Sequence, residues 1–359
     1  MFGNWFQRLV RTCTTAQGRR VRRTMGRIEL METRVLLSNT LLPTQLVTIS
    51  RGAEFAMATA PTTLMLNTDA KSNAPSLAGT IEGINFDENV ANAGFYVPPD
   101  PNGAAGPNHV VSVVNASIEW HTKAGTQENS QSLASFFAPL TPLTGTFDPK
   151  VVYDDFNDRF VVLTLELTTS PSNTSRILLA ISDNNDPNGT WHYQAIDARM
   201  TIGGNDSWAD YPGLAVDEEA IYITNNMFSF AANAFQGSRL WILGKTALYG
   251  GGTSAVGVYD PSTLSGQSAQ LGTLQPAQMM AAGVGNTGTF LVSSSGLSGA
   301  NEAIAVIRVD NPLGSPTFSN QLVSVGDLQP NFATVPDAPQ SGTSTLIDAG
   351  DGRIYNAVW

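Results

Sequence analysis

From residue 107 onward, short apolar runs separated by polar turns recur along the chain. In KVVYDDFNDRFVVLTLEL (150–167), two strand-like runs flank a cluster of Asp and Asn. The same form returns in GLAVDEEAIYITNNMF (213–228), AQMMAAGVGNTGTFLVSSS (277–295) and TSTLIDAGDGRIYNAVW (343–359). Pro149, Pro212, Pro276 and Pro339 open these segments and stand 63, 64 and 63 residues apart. A third run begins at Arg176 in SRILLAIS and at Arg239 in SRLWILG, each 27 residues after its proline, and at Glu302 in NEAIAVIRVD, 26 after Pro276. TWHYQAID, SAVGVYD and TFSNQLVSV supply a fourth. Four short alternating strands bounded by Gly, Asn, Asp and Pro predict an antiparallel meander.

Repetition decides the architecture. One twisted four-stranded sheet cannot bury both faces alone, whereas sheets set radially shield one another, which is the logic of a β-propeller. A period near 64 exceeds the 40–50 residues of the common blade repeats, so long loops are expected. A β-sandwich with coincidental spacing is the alternative. PNHVVSVVNASIEWHTKAG, from Pro107, reads as the two inner strands of an earlier, shorter unit, and Trp359 falls inside the second strand of the unit opened by Pro339. Residues 101–359 are therefore expected to form about four to five blades, an incomplete circle belonging to a longer protein. Residues 61–100 are polar and rich in small residues and read as a linker or irregular lead-in.

Charge divides the chain. The first 38 residues hold eight arginines against Glu29 and Glu32, a leader of +6, while the whole chain carries −11 and the remainder −17. Such a body repels nucleic acid and anionic lipid. The one cysteine, Cys13, lies in the leader, so disulfide scaffolds and Cys-based metal sites are excluded for the body. No apolar run approaches the ~18 residues of a spanning helix. The basic segment, the broken apolar stretch VLLSNTLLPTQLVTI (35–49) and Ala56-Met57-Ala58 follow the order of an export signal, so residues 1–60 are read as a targeting segment. Met31, Glu32, Arg34, Leu36, Leu37 and Ser38 resemble the N-terminal motif of planctomycete extracellular proteins, which implies export and an extracellular or cell-surface location.

Candidate chemistry is sparse. Asp154, Asp155, Asn157 and Asp158 make an oxygen-rich cluster of the kind calcium favours, although the same residues suit a tight turn. No other cofactor is indicated. Asn205, Asp206, Trp208, Asp210 and Tyr211 combine aromatic faces with carboxylates and amides that could hold a sugar or peptide, or else pack one blade on the next. Zinc and serine-hydrolase signatures are missing. SDNNDPNGTW resembles the Asp-box of sialidase-type propellers through Ser182, Asp186, Gly189, Thr190 and Trp191, a structural hairpin in that family. Arg159, Arg176, Arg199, Arg239, Arg308 and Arg353 are the arginines left after residue 60 to supply a sialidase-like cluster. PPDPNGAAGPNHVVSVVN, FDPKVVYDDFNDRFVV, SDNNDPNGTWHY and DYPGLAVDEEAIYITNNMF together resemble a group of exported bacterial propeller-like proteins over about residues 95–359. That resemblance implies fold and location and assigns no catalytic residue.

The expected function is a non-catalytic binding or adhesion module whose partner is a glycan or protein outside the cell. A secreted carbohydrate-active enzyme, sialidase-like or lyase-like, is the alternative. The enzyme would gather charged residues from several blades at one end of the axis.

Overall fold

The computed structural model describes residues 79–169, 171–266, 271–281, 287–294, 302–326, 337–347 and 353–359, all within one compact unit, Ala74–Trp359. Residues 1–60, expected to be a targeting segment, and the first part of the lead-in lie outside the described residues.

Four antiparallel meanders follow one another. The first joins β1 (Asn102–Ala105), β2 (His109–Val114), β3 (Ser117–Thr122) and β4 (Gln127–Ser132). The second joins β5 (Thr146–Asp154), β6 (Arg159–Thr168), β7 (Thr174–Ser182) and β8 (Trp191–Asp197). In the third, β9 (Met200–Ile202) precedes β10 (Asn205–Val216), β11 (Ala220–Ser229), β12 (Phe235–Gly244) and β13 (Val256–Tyr259). The fourth contains β14 (Gln275–Gln278), β15 (Thr289–Ser293), β16 (Glu302–Asp310) and β17 (Thr317–Gly326), and β18 (Ala357–Val358) adds to it beside β14 in parallel.

The chain is a β-propeller, because these sheets bury their faces in one another. Phe160, Val162, Leu178 and Ala180 point from the second sheet toward Val111, Val113, Ile118 and Trp120 of the first. The alternate residues Val161, Leu163, Leu165, Ile177 and Leu179 point the other way, onto Leu214, Ile221, Ile223 and Trp241 of the third. Ala220, Tyr222, Leu240 and Ile242 then meet Leu291, Ala305, Ile307 and Val309 of the fourth. The middle strands of the second and third sheets are thus dry on both sides, which is why β6 reads as a nearly unbroken apolar run. The first strands β1, β5, β10 and β14 contact one another in turn and form the innermost ring.

The recurring prolines fall on these inner strands. Pro149 lies in β5, Pro212 in β10 and Pro276 in β14. β5 is the edge of its sheet, whereas β9 and β18 pair with β10 and β14 at residues other than their prolines, and an edge or a bulge is where a sheet tolerates a residue without an N–H. β5 and β10 each carry a bulge there, the register shifting between Phe147 and Lys150 and between Asp210 and Gly213. Neighbouring inner strands approach so closely that a Cβ on Gly213 would meet Pro276 Cδ and Thr224 Oγ1 at 2.5 Å.

Three boundaries differ from expectation. The first sheet begins at Asn102, and Pro107 sits in the turn between β1 and β2, so that sheet has four strands rather than a shortened pair. The lead-in is not wholly irregular: α1 (Phe86–Asn92), capped by the Asn85 side chain, packs on the first sheet through buried Asn89. Asn89 donates to the Asn115 carbonyl and accepts from Ser117. The unit at Pro339 shows only the bridge Ala338–Ile347 and β18 among the described residues.

Leu163, with no exposed surface between the second and third sheets, is expected to cost about 2–5 kcal/mol when replaced by alanine. Leu143→Ala, at a residue 59% exposed, should leave guanidinium unfolding nearly unchanged. Equal midpoints for the two variants would contradict the inter-sheet core.

Candidate active site

At the inner-strand bulges the backbone turns left-handed before each proline. Asp148 has φ 49° and Tyr211 φ 50°, while Asp100, before Pro101 at the entry to β1, has φ 43°. Asp accepts this conformation more readily than most residues, because its short polar side chain can bond locally. A bulge re-aims the side chains around it, and bulges gather beside active sites. The polar groups it displaces are caught from the next strand: Thr164 Oγ1 donates to the Phe147 carbonyl (2.8 Å) and Asn225 Nδ2 to the Asp210 carbonyl (3.2 Å).

The carboxylates of Asp148 and Asp210 are thereby brought together from two sheets. They hydrogen-bond to each other, and both accept from the single Tyr211 N–H, at 3.2 Å to Asp148 Oδ2 and 3.0 Å to Asp210 Oδ1. Asn115, at the end of β2, ties in a third. Its Nδ2 donates to Asp100 Oδ2 (2.6 Å) and its Oδ1 accepts from the Asp148 N–H (2.7 Å). Arg353 lies over the Tyr211 ring, 4.5 Å from its centre, and its charge acts on Asp210.

Two carboxyls in hydrogen-bond contact cannot both ionise freely. Burial pushes the Asp148 carboxyl up to about 8, and the charges of Asp210 and Asp100 add to the shift. Burial also raises Asp210, while the hydrogen bonds from Asp148 and the Tyr211 N–H hold it back. Both side chains keep some contact with solvent at the surface, yet each is set deep among protein atoms. Burial and proximity thus favour the protonated form in both carboxyls, Asp148 above all.

Further along the inner strands lies a cavity of ≈ 270 Å³, its polar lining including Asn102, Lys150, Tyr153, Gln275, Gln278 and Asn356. Burial lowers the Lys150 ammonium, opposed by the charges of Asp148 and Asp100.

Of the residues expected to bind a ligand, Asp210 and Tyr211 belong to this site. Asn205 and Asp206 do not: they lie at the β9–β10 hairpin, where Asp206 pairs with Arg199 (2.8 Å) and Asn205 donates to Gln236 (3.1 Å). Trp208 stacks on Phe228 with ring centres 5.6 Å apart. In the acidic turn expected for calcium, most oxygens meet protein donors, while Asp155 Oδ1 is buried without a hydrogen-bond partner. Asp154 is fully buried against Lys245 Nζ (2.6 Å) and Tyr249 Oη (2.5 Å), and Asn157 also accepts from Lys245. Asp155 accepts from the Ala281 N–H and Asp158 from Tyr153 Oη. No cluster of three or more His, Cys, Asp or Glu able to hold a metal occurs among the described residues. The Asp-box-like segment is the β7–β8 turn, and its Asn188 accepts from Trp120 Nε1 of the first sheet. Arg176 is engaged by Glu166 and Arg239 by Asp260, so neither is offered to a ligand.

Asp148 and Asp100 were not among the sequence candidates. Their signal was an Asp placed just before each of three inner-strand prolines, as Asp100-Pro101, Asp148-Pro149 and Asp210-Tyr211-Pro212.

No known protein family matches the sequence, and no curated protein sequence matches it. Solved structures similar to the chain include an endo-arabinanase of glycoside hydrolase family 43 from Bacillus licheniformis, 16% identical at TM-score 0.32, over 63% of this chain and 80% of that one. A thermostable family-43 glycoside hydrolase is 13% identical at TM-score 0.34, covering 71% and 76%. An exo-β-1,3-galactanase from Phanerochaete chrysosporium is 12% identical at TM-score 0.32, covering 64% and 50%. At such identities the likeness concerns fold alone. The expectation of a propeller without chemistry is corrected by the site itself: carboxyl groups from three sheets gather there, the convergence expected of an enzyme. No helix among the described residues is long and apolar enough to cross a membrane.

The raised Asp148 carboxyl has a sign-definite effect on stability. Its folded value lies above the unfolded value near 3.8, so its contribution is complete below about pH 4 and is lost as pH rises through about 8. Asp148→Asn, which stays neutral and can still donate to Asp210, should therefore unfold at higher temperature than the wild type at pH 9. The difference should shrink toward pH 4, and a difference independent of pH would refute the assignment.

Proposed function

We propose that this propeller is a carbohydrate-active enzyme that hydrolyses glycosidic bonds. The observation that carries the reading is the Asp148–Asp210 pair, two carboxyls from different sheets in hydrogen-bond contact, with Asp100 linked to Asp148 through Asn115. Cleaving a glycosidic bond needs a carboxyl that is still protonated near neutral pH to protonate the leaving oxygen, and a carboxylate on the other side of the sugar. Asp148 is the proton donor and Asp210 the group that tunes it. Asp100 stands apart from the pair, with the Asn115 carboxamide between, and is the carboxylate that activates water. Arg353 and Lys150 offset the negative charge that substrate must approach. Export through residues 1–60 would bring such an enzyme to glycans outside the cell.

The test is hydrolysis of a panel of chromogenic pyranosides, furanosides and polysaccharides. Asp148→Asn and Asp100→Asn should each lower kcat by about 10²–10⁴-fold with the far-UV spectrum unchanged. The wild-type rate should fall as pH rises through about 8, where Asp148 gives up its proton. A wild-type protein inert on the whole panel, or an Asp148→Asn variant at full rate, would remove the reading.

A further inference from the structure

The cavity behind the carboxylates differs from them in chemistry. Its lining includes Asn102, Lys150, Tyr153, Gln275, Gln278 and Asn356, together with small and apolar residues of β1, β5, β14 and β18, and contains no Asp or Glu. In a chain of net charge −11, the one formal charge on this described lining is the Lys150 ammonium.

Two donors there lack a protein acceptor. Gln275, 3% exposed, has its Nε2 buried with no hydrogen-bond partner. Lys150 forms no hydrogen bond or ion pair among the described residues, and its electrostatic neighbours are Asp148 and Asp100. An ammonium withdrawn from water and a buried amide donor are each costly unless an acceptor meets them. Gln278 is different, because its amide is committed to the Val216 N–H and to the carbonyls of Tyr153 and Met279.

We propose that this cavity is a subsite for a sugar bearing a carboxylate, a uronic acid, with Lys150 and Gln275 as the specificity-determining donors. The inference rests on the hydrolase reading and adds the substrate class. A carboxylate is the acceptor that best satisfies an ammonium, through charge-assisted hydrogen bonds, and a turn of the Gln275 side chain, whose Nε2 is buried as it stands, would bring its amide to the second oxygen. Lys150 is within electrostatic range of Asp148 and Asp100, so a sugar whose carboxylate meets Lys150 is placed beside the carboxyl pair. Protonation of Asp148 removes one of the negative charges that would otherwise repel such a substrate.

Binding is measured by calorimetry with glucuronate and galacturonate against their neutral parents glucose and galactose, and separately from hydrolysis. The uronates should bind at least roughly tenfold tighter than the neutral sugars. Lys150→Met and Gln275→Leu should each erase that preference, and Lys150→Arg should retain much of it. The wild-type comparison decides the matter even if a variant fails to fold. Equal affinity for charged and neutral sugars, or a uronate preference that survives Lys150→Met, overturns the inference and leaves the hydrolase reading standing. Uronate preference lost in Lys150→Met, in a protein that cleaves no glycoside, supports the subsite and sinks the hydrolase reading instead.

Discussion

Everything in this protein depends on sheets keeping water off one another. The middle strands of the second and third sheets have two apolar faces, and neither can be dry unless a neighbouring sheet covers it. Leu163 and Val162, adjacent in β6, are buried against different sheets, the third and the first. At about 25 cal/mol for each Å² of apolar surface removed from water, such interleaving dominates the favourable side of folding. It also leaves the inner strands β5 and β10 room for irregular backbone, and each carries a bulge at its proline.

The candidate site grows out of that tolerance. Proline on an inner strand removes a donor that an edge or a bulge does not need, and the bulge around it turns one residue left-handed. Where Asp precedes the proline or its bulge, the carboxyl comes toward those of neighbouring sheets. Asn115 and the Tyr211 N–H then fix the spacing, the former bridging Asp100 to Asp148 and the latter held by both Asp148 and Asp210. The elevated proton affinity of Asp148 follows from this crowding and from burial.

Much of the architecture was legible in the sequence because a strand period of two and a repeat near 64 are both written in residue types. SRILLAIS, SRLWILG and TWHYQAID appear as β7, β12 and β8 with little displacement. The first unit was misread at its start because Asn102–Ala105, NGAA, has no apolar signature, being held as an edge by pairing with β2. The site was legible only in part. Asp210 and Tyr211 stood out among aromatic and polar neighbours, yet Asn205, Asp206 and Trp208, adjacent in sequence, point into hairpin and packing contacts. Asp154 and Asp158 looked like ligands because they cluster in sequence, whereas buried Lys245 and Tyr249 claim Asp154 from a distance no local pattern records, and Tyr153 claims Asp158 across the turn itself. Conversely, Asp100 and Asp148 are 48 positions apart and meet only through Asn115.

Arg353 carries a temporal consequence. A meander pairs neighbours in sequence and can form as soon as its own strands exist, whereas contacts between distant segments close late. Asp100, Asp148 and Asp210 belong to three sheets that precede Arg353 in the chain, so the guanidinium that rests on Tyr211 is synthesised after the carboxyls it serves. The nascent chain thus passes through a stage in which its acidic pocket exists without that counter-ion, and its arrival sets the electrostatic character of the finished molecule.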